Sequence, residues 1–357
     1  MTVYTKSQNT REHITTNYVL KPESVVLYKS STRIQMINEI NALSGGYLYK
    51  ETLNQRIPFN DLATFYLDDS RQRHRPTTHK VKTYTISTHI LPYFKDMAIT
   101  SITPRTVRDW QNHLLSEKGD LSETYKRALH TQLSAILNYA VKFFGLSQNP
   151  CRLAGSIGQT KAGRMHFYTK TEFDDFITHV KRKPMYVVIF KLLFYTGIRS
   201  GELMALTLDD FDFEKRMLSI TKSYARINRK DLITKPKTEQ SIREVTLPKF
   251  ICEMIKDYAE TLIDYKSDER LFNVTKFNLH HTLKGIIKRG NLKPIRVHDL
   301  RHSHASLLIE MGFSTVLISE RLGHESIKTT LETYSHLYPN KQRAVAKKLD
   351  EIFDKAI

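Results

Sequence analysis

Cysteine is scarce in this chain of 357 residues: only Cys151 and Cys252 are present. Two isolated thiols exclude a disulfide framework and a CxxC metal site, and they fit a reducing compartment. Long apolar runs are missing too. The longest, Tyr186 to Ile198, is too short to span a bilayer and is interrupted by Lys191. The first residues, MTVYTKSQNTREH, are polar throughout, so no signal peptide is expected. No internal repeat or low-complexity tract is evident. These absences together point to a soluble cytoplasmic protein. The last shortage is of acid: 37 Asp and Glu stand against 55 Lys and Arg, a net charge of +18. Such a surplus favours a polyanionic partner, of which nucleic acid is the commonest.

At this length two or three domains are expected, and the texture changes along the chain. Residues 1–55 mix strand-like pieces (Tyr18 to Leu20, Val25 to Tyr28) with a helical stretch from Thr32 to Leu43, stopped by Gly45-Gly46. Residues 56–150 read as four helices. Leu62, Phe65 and Tyr66 share one face; Val81, Tyr84, Thr88 and Leu91 share another. Thr103-Pro104 opens a third helix bearing Val107, Trp110 and Leu114. A fourth starts near Ser122 and carries Leu133, Leu137, Val141 and Phe144. Residues 151–166 are glycine-rich and basic without helical periodicity, and read as a linker that could follow a phosphate backbone. The capping box Thr169-x-x-Glu172 then opens a larger, mainly helical domain spanning 167–340. Its strand-like interruption, from Met217 to Pro248, alternates like a hairpin.

Candidate chemistry in that domain is ambiguous residue by residue. Arg199, in YTGIRSGEL, follows a glycine at the end of an apolar helix, and Glu202 is spaced to orient its guanidinium. His298 and Arg301, in VHDLRHSH, are three apart and can meet one phosphate. His298 and His302, four apart with Asp299 and His304 nearby, can equally be read as a metal site. His324 follows a glycine turn, and Tyr334 stands in TLETYSH.

The order of these elements decides between the readings. TGIRSGELMAL, HDLRHSHASLL, LGH and TYSH resemble, in sequence and in spacing, the tyrosine recombinase (phage and mobile-element integrase) family. The resemblance is strong over about 165–340 and looser over 56–150. It implies a fold that is mainly α with a small β-sheet or hairpin in the catalytic domain, a multidomain α+β arrangement. A helical, SAM-like core-site DNA-binding domain would occupy 56–150. It implies site-specific integration and excision of a mobile element such as a prophage, through a 3′-phosphotyrosyl intermediate formed by Tyr334. Arg199 and Arg301 would clamp the phosphate, because planar guanidinium groups pair bidentately with its oxygens. His298 would act as general base or phosphate hydrogen bonder, and His324 as a second imidazole donor. Lys237 would protonate the leaving 5′-hydroxyl, with Lys235 as the alternative. Glu202 would support Arg199. On this reading no cofactor and no metal take part, and His302 and His304 are structural.

Partners implied by the resemblance are duplex attachment sites, a homotetramer on DNA, a small excision factor and a host DNA-bending protein, all in the bacterial cytoplasm at the nucleoid. Residues 341–357, with Val345, Leu349, Ile352 and Phe353 along one helical face, would form a tail helix docking on a neighbouring protomer. Residues 1–55 would bind accessory arm sites. Two rivals stay open at this point: a type IB topoisomerase-like relaxing enzyme, and a basic DNA-binding regulator without catalysis.

Overall fold

The computed structural model describes residues 57–116, 120–160, 165–236, 238–335 and 346. They fall into two compact units, divided after Thr160. The regions expected to form the arm-site domain (1–55) and the tail helix (341–357) lie outside the described residues, apart from Ala346.

The first unit is helical. Helix α1 (Phe59–Arg73) begins at Pro58, and the incoming chain is clipped in place by Phe59 N–H to Met97 O and Ile99 N–H to Ile57 O. Helix α2 (Pro76–Thr85) runs into a π-helical turn, Ile86–Ile90, and then α3 (Leu91–Phe94). Helix α4 (Pro104–Ser116) starts as its sequence predicts, with Thr103 Oγ1 accepting from Thr106 N–H. Helix α5 (Glu123–Phe143) is capped by Ser122. Phe59, Phe94, Trp110, Leu129, Leu133 and Leu137 are among the residues that close the core.

Two expectations need correction here. Val81 and Tyr84 do not face inward: they are 64% and 59% exposed, and the buried face is Thr85, Ile86, Ile90 and Phe94. Val81 and Tyr84 lie on the outer face of α2, ahead of the π-helical turn, and that wider turn breaks the 3.6-residue phase that would have joined them to Thr88 and Leu91. The span 151–166 is also not linker from its start. Asn149 accepts from Cys151 N–H and Pro150 fixes the first turn of α6 (Pro150–Ala154). Cys151, Ala154 and Ile157 then join the core of the first unit.

The second unit is built around α8 (Pro184–Thr196), whose buried residues include Ile189, Phe190, Leu192, Leu193 and Phe194. Helix α7 (Lys170–Val180) carries the expected capping box, with Thr169 N–H on Glu172 Oε2 at 2.8 Å. It packs Phe173 on Phe194 with ring centroids 3.8 Å apart. Burying each such ring contributes about 1.5–3 kcal/mol. After the short α9 (Ser200–Leu203), a three-stranded antiparallel sheet forms from β1 (Phe211–Asp212), β2 (Met217–Ile220) and β5 (Arg243–Thr246) in the order β1-β2-β5. Between β2 and β5 the hairpin β3 (Ser223–Ile227) and β4 (Lys230–Thr234) stands as a second sheet. Its turn residues Asn228 and Arg229 both have positive φ, as a two-residue hairpin of right-handed twist requires. Helices α10 (Lys249–Glu260), α11 (Lys276–Gly290), α12 (Asp299–Glu310), α13 (Thr315–Leu322) and α14 (Ile327–Tyr334) complete the unit. None of the described helices is long and apolar enough to cross a membrane.

Candidate active site

Two glycine turns fix the site. Helix α8 ends at Gly197 (φ 68°) and α13 at Gly323 (φ 66°), both left-handed stops that place no side chain in the way. Neither turn has room for one: a Cβ at Gly197 would lie 2.6 Å from His304 Cδ2, and one at Gly323 would lie 2.8 Å from Arg243 Cδ. The two expected clamp arginines grip these turns. Arg301, in the first turn of α12, is buried and donates to Gly197 O and Leu322 O, both at 2.7 Å. Arg199, just before α9, donates to Gly323 O at 2.9 Å. Arg301 thus spends two of the five N–H donors that a guanidinium carries, leaving others for an anion. Burial and the charge of Arg199 push its pKa down to about 9, which still leaves it protonated at neutral pH.

Glu202 has the supporting place expected of it, but with a second partner. It accepts from Arg199 Nη1 at 2.7 Å and from Arg243 Nη2 at 3.0 Å. Burial alone would raise its pKa, and the two arginines outweigh that and hold the carboxyl below its usual range. Arg243, on β5, also donates through Nε to Arg321 O. Ser241 Oγ lies 3.4 Å from Arg199 Nη1 and 2.9 Å from Thr238 Oγ1. Arg243 was not among the expected site residues. Arg199 itself reaches both carboxylate oxygens, Oε1 through Nη1 and Oε2 through its backbone N–H at 2.9 Å, so the local sequence called for no second arginine.

The histidines depart in part from the expected arrangement. His324 Nδ1 pairs with Thr330 Oγ1 at 2.7 Å, and burial with the nearby Arg301 and Arg199 pushes its pKa down to about 3. His298, at the N-cap of α12, has its pKa lowered by desolvation and by Arg301. One helical turn on, His302 meets the His298 ring edge-on at 5.0 Å. On its other side, His302 Nδ1 lies 2.7 Å from the hydroxyl of Tyr334. His302 had been given a structural role only; the structure puts it in direct contact with the candidate nucleophile. Tyr334 ends α14 and is 1% exposed. Burial raises its pKa to about 12, and Arg301 opposes the rise without cancelling it.

The donors that suggested a metal are committed elsewhere. Asp299 is buried, and both of its oxygens engage Arg296. His304 has Nδ1 on Phe194 O at 2.8 Å and Nε2 accepting from Arg321 Nε at 3.1 Å. The i, i+4 spacing of His298 and His302 does bring two rings together, but His302 turns its Nδ1 to a phenol. Lys235 follows directly on β4 and is exposed. Lys237, the preferred proton donor, lies outside the described residues.

A buried tyrosine hydroxyl on a histidine, near a buried arginine, in a mostly helical fold with a separate helical unit, fits the class of DNA strand transferases that act through a tyrosine. The comparisons carry this to a family. A family model described as the phage integrase family matches residues 166–341, and one described as the phage integrase N-terminal SAM-like domain matches 58–115. The ICEBs1 integrase of Bacillus subtilis is 33% identical over 319 residues, covering 84% of each chain. The integrase of Mycobacterium phage L5 is 26% identical over 74% of this chain and 71% of its own length. Among solved structures, the Tn1549 transposon integrase in complex with circular intermediate DNA aligns with a TM-score of 0.68 at 17% identity, covering 82% of this chain and 99% of that one. The lambda integrase tetramer bound to a Holliday junction aligns at 0.59 with 16% identity, covering 82% and 88%. The chain belongs to the phage integrase family of tyrosine recombinases, and it is a site-specific DNA recombinase.

Proposed function

We propose that this recombinase integrates and excises a mobile element by attack of the Tyr334 hydroxyl on a phosphodiester held by Arg199 and Arg301. The phenolic oxygen bonds to phosphorus as the bond to the 5′-oxygen breaks. The 5′-hydroxyl leaves with a proton from Lys237, or from Lys235 in its place. The 3′-phosphotyrosyl bond keeps the energy of the broken linkage, so a 5′-hydroxyl from a second duplex can rejoin the strands without ATP. His298 and His324 add hydrogen bonds to the non-bridging oxygens as charge develops there.

The observation that carries this reading is that Arg301 and Arg199 hold successive carbonyls of one turn, Leu322 O and Gly323 O. That turn is followed by His324, and the next helix ends in Tyr334. Two guanidinium groups on one turn, with donors left over after their carbonyls are satisfied, suit the oxygens of a phosphate under attack. The net charge of +18 supports a DNA partner. The helical unit at 57–160 is proposed to bind the core site, residues 1–55 the arm sites, and the tail a neighbouring protomer in a tetramer. An excision factor and a host DNA-bending protein would set direction. The bacterial nucleoid is the place of action.

A duplex carrying the attachment site and a nick that lets the cleaved fragment escape tests the reading. Covalent protein–DNA adduct is expected with the unaltered protein, with and without chelator, and none with Tyr334→Phe. Strand exchange between two duplexes is expected in addition. An adduct that survives Tyr334→Phe, or one abolished by chelator and restored by a divalent metal, overturns it. Relaxation of supercoils without any exchange would favour a topoisomerase instead.

A further inference from the structure

Burial leaves the Tyr334 phenol harder to ionise than a free tyrosine, and Arg301 does not make up the difference. Something else must take the proton as the nucleophile forms. The groups around the hydroxyl narrow the choice. Arg301 is already protonated and can only donate. His298 reaches the His302 ring rather than the phenol. His302 Nδ1, at 2.7 Å, is the side-chain atom hydrogen-bonded to the Tyr334 oxygen among the described residues. The two rings approach edge to face with centroids 5.6 Å apart, so the contact is held by packing as well as by the hydrogen bond.

Resting on the assignment of Tyr334 as nucleophile, we propose that His302 is a catalytic residue that accepts the Tyr334 proton on Nδ1 during strand cleavage. The phenol O–H donates to Nδ1 of the neutral imidazole, whose own proton sits on Nε2. As the oxygen bonds to phosphorus, the O–H bond breaks and its proton moves to Nδ1, giving an imidazolium. The proton returns to the phenolic oxygen when the rejoining step expels it. The groups facing His302 set its basicity: His298, Arg296 and Arg301 disfavour the imidazolium and Asp299 favours it, while burial opposes it most. A bound phosphodiester brings a negative charge beside Arg301 and His298, so the field that keeps the ring neutral weakens when substrate is in place.

The test is single-turnover cleavage of the nicked duplex by His302→Ala and His302→Asn, each with Tyr334 either native or replaced by trifluorotyrosine. The fluorinated phenol ionises near neutral pH and does not need a base. With native Tyr334, His302→Ala is expected to cleave at least 10²-fold more slowly. His302→Asn, which can accept a hydrogen bond but not a proton, is expected to stay slow. Fluorination should restore most of the rate to both variants. Cleavage by His302→Ala at or above the unaltered rate would show that the contact only latches the tyrosine away, and overturns the proposal. A loss that fluorination leaves unchanged would reduce His302 to a packing residue and overturns it equally. Failure of the underlying reading is distinct, because Tyr334→Phe would then still form the adduct.

Discussion

The carboxylate of Glu202, 2% exposed, meets Arg243 Nη2 at 3.0 Å across 41 residues of sequence. The same carboxylate holds Arg199 at 2.7 Å. One buried anion therefore sets the position of Arg199, the proposed phosphate clamp, against β5, and through Arg243 Nε against the carbonyl of Arg321 on α13. Removing one member of a buried pair leaves the other charge without compensation, a loss of about 3–5 kcal/mol. Glu202→Ala is expected to lower stability by that amount, and Glu202→Gln, which keeps one acceptor, by less. The urea midpoint measures it. A midpoint unchanged in Glu202→Ala would mean that solvent, not the carboxylate, balances the arginines.

The glycine turns give a graded series. Gly312 has φ 86° and open space where a Cβ would go, so Gly312→Ala should cost only the left-handed backbone term, ~1 kcal/mol. At Gly197 and Gly323 the same term is joined by contacts below 3 Å with His304, Leu322 and Arg243. Both substitutions are expected to cost clearly more, ~3 kcal/mol, through overpacking. Gly323→Ala should also lower strand cleavage in the surviving folded protein, because Arg243 must move and Glu202 with it. Equal melting temperatures for all three variants would contradict this.

Much of this frame is legible in the sequence, for local reasons. The Thr169–Glu172 box, the Thr103-Pro104 start and the Gly197 stop each depend on a few neighbouring residues, so their spacing is enough to place them. The single face drawn through Val81, Tyr84, Thr88 and Leu91 was not legible as wrong, because the widened turn at Ile86–Ile90 changes the phase between α2 and the residues after it. The partner of Glu202 was hidden because β5 reaches it only through the fold of the intervening hairpin. His302 was visible as a neighbour of His298 at helical spacing. Which group its Nδ1 would meet depended on where α14 ends, and that is a tertiary fact.

Acid should weaken this protein well before its surface carboxylates titrate. Burial, most of all, holds the pKa of His302 down at about 4 and those of His304 and His324 at about 3, against 6.5 for a free histidine. All three are neutral when folded and take up protons on unfolding. Their contribution is complete above about pH 6.5 and is lost as pH falls towards the folded values. Glu202, held below its usual range, acts in the same direction at lower pH still. Three protons correspond to a slope of roughly 4 kcal/mol per pH unit at its steepest. Urea midpoints taken from pH 7.5 to 4.5 should show the fall, and His304→Asn should flatten it by about one proton. A flat profile down to pH 5 would contradict the neutral state of these rings.

The proposed proton donor can be separated from the rest of the site by chemistry at the leaving group. A 5′-oxygen leaves poorly without a proton, whereas a 5′-sulfur leaves well as a thiolate. With the ordinary duplex, Lys237→Ala is expected to cleave ~10²–10⁴-fold more slowly. With sulfur in place of the scissile 5′-oxygen, most of that loss should vanish. Lys235→Ala, at an exposed position after β4, is expected to lose far less with oxygen and to gain no special benefit from sulfur. The reverse pattern would move the role to Lys235. Arg199→Lys supplies the control: it weakens the hold on the non-bridging oxygens, so its expected loss of ~10²–10³-fold should persist with either leaving group. If sulfur rescued Arg199→Lys as fully as Lys237→Ala, the clamp and the acid would not be separate functions, and the division of labour argued for this site would fail.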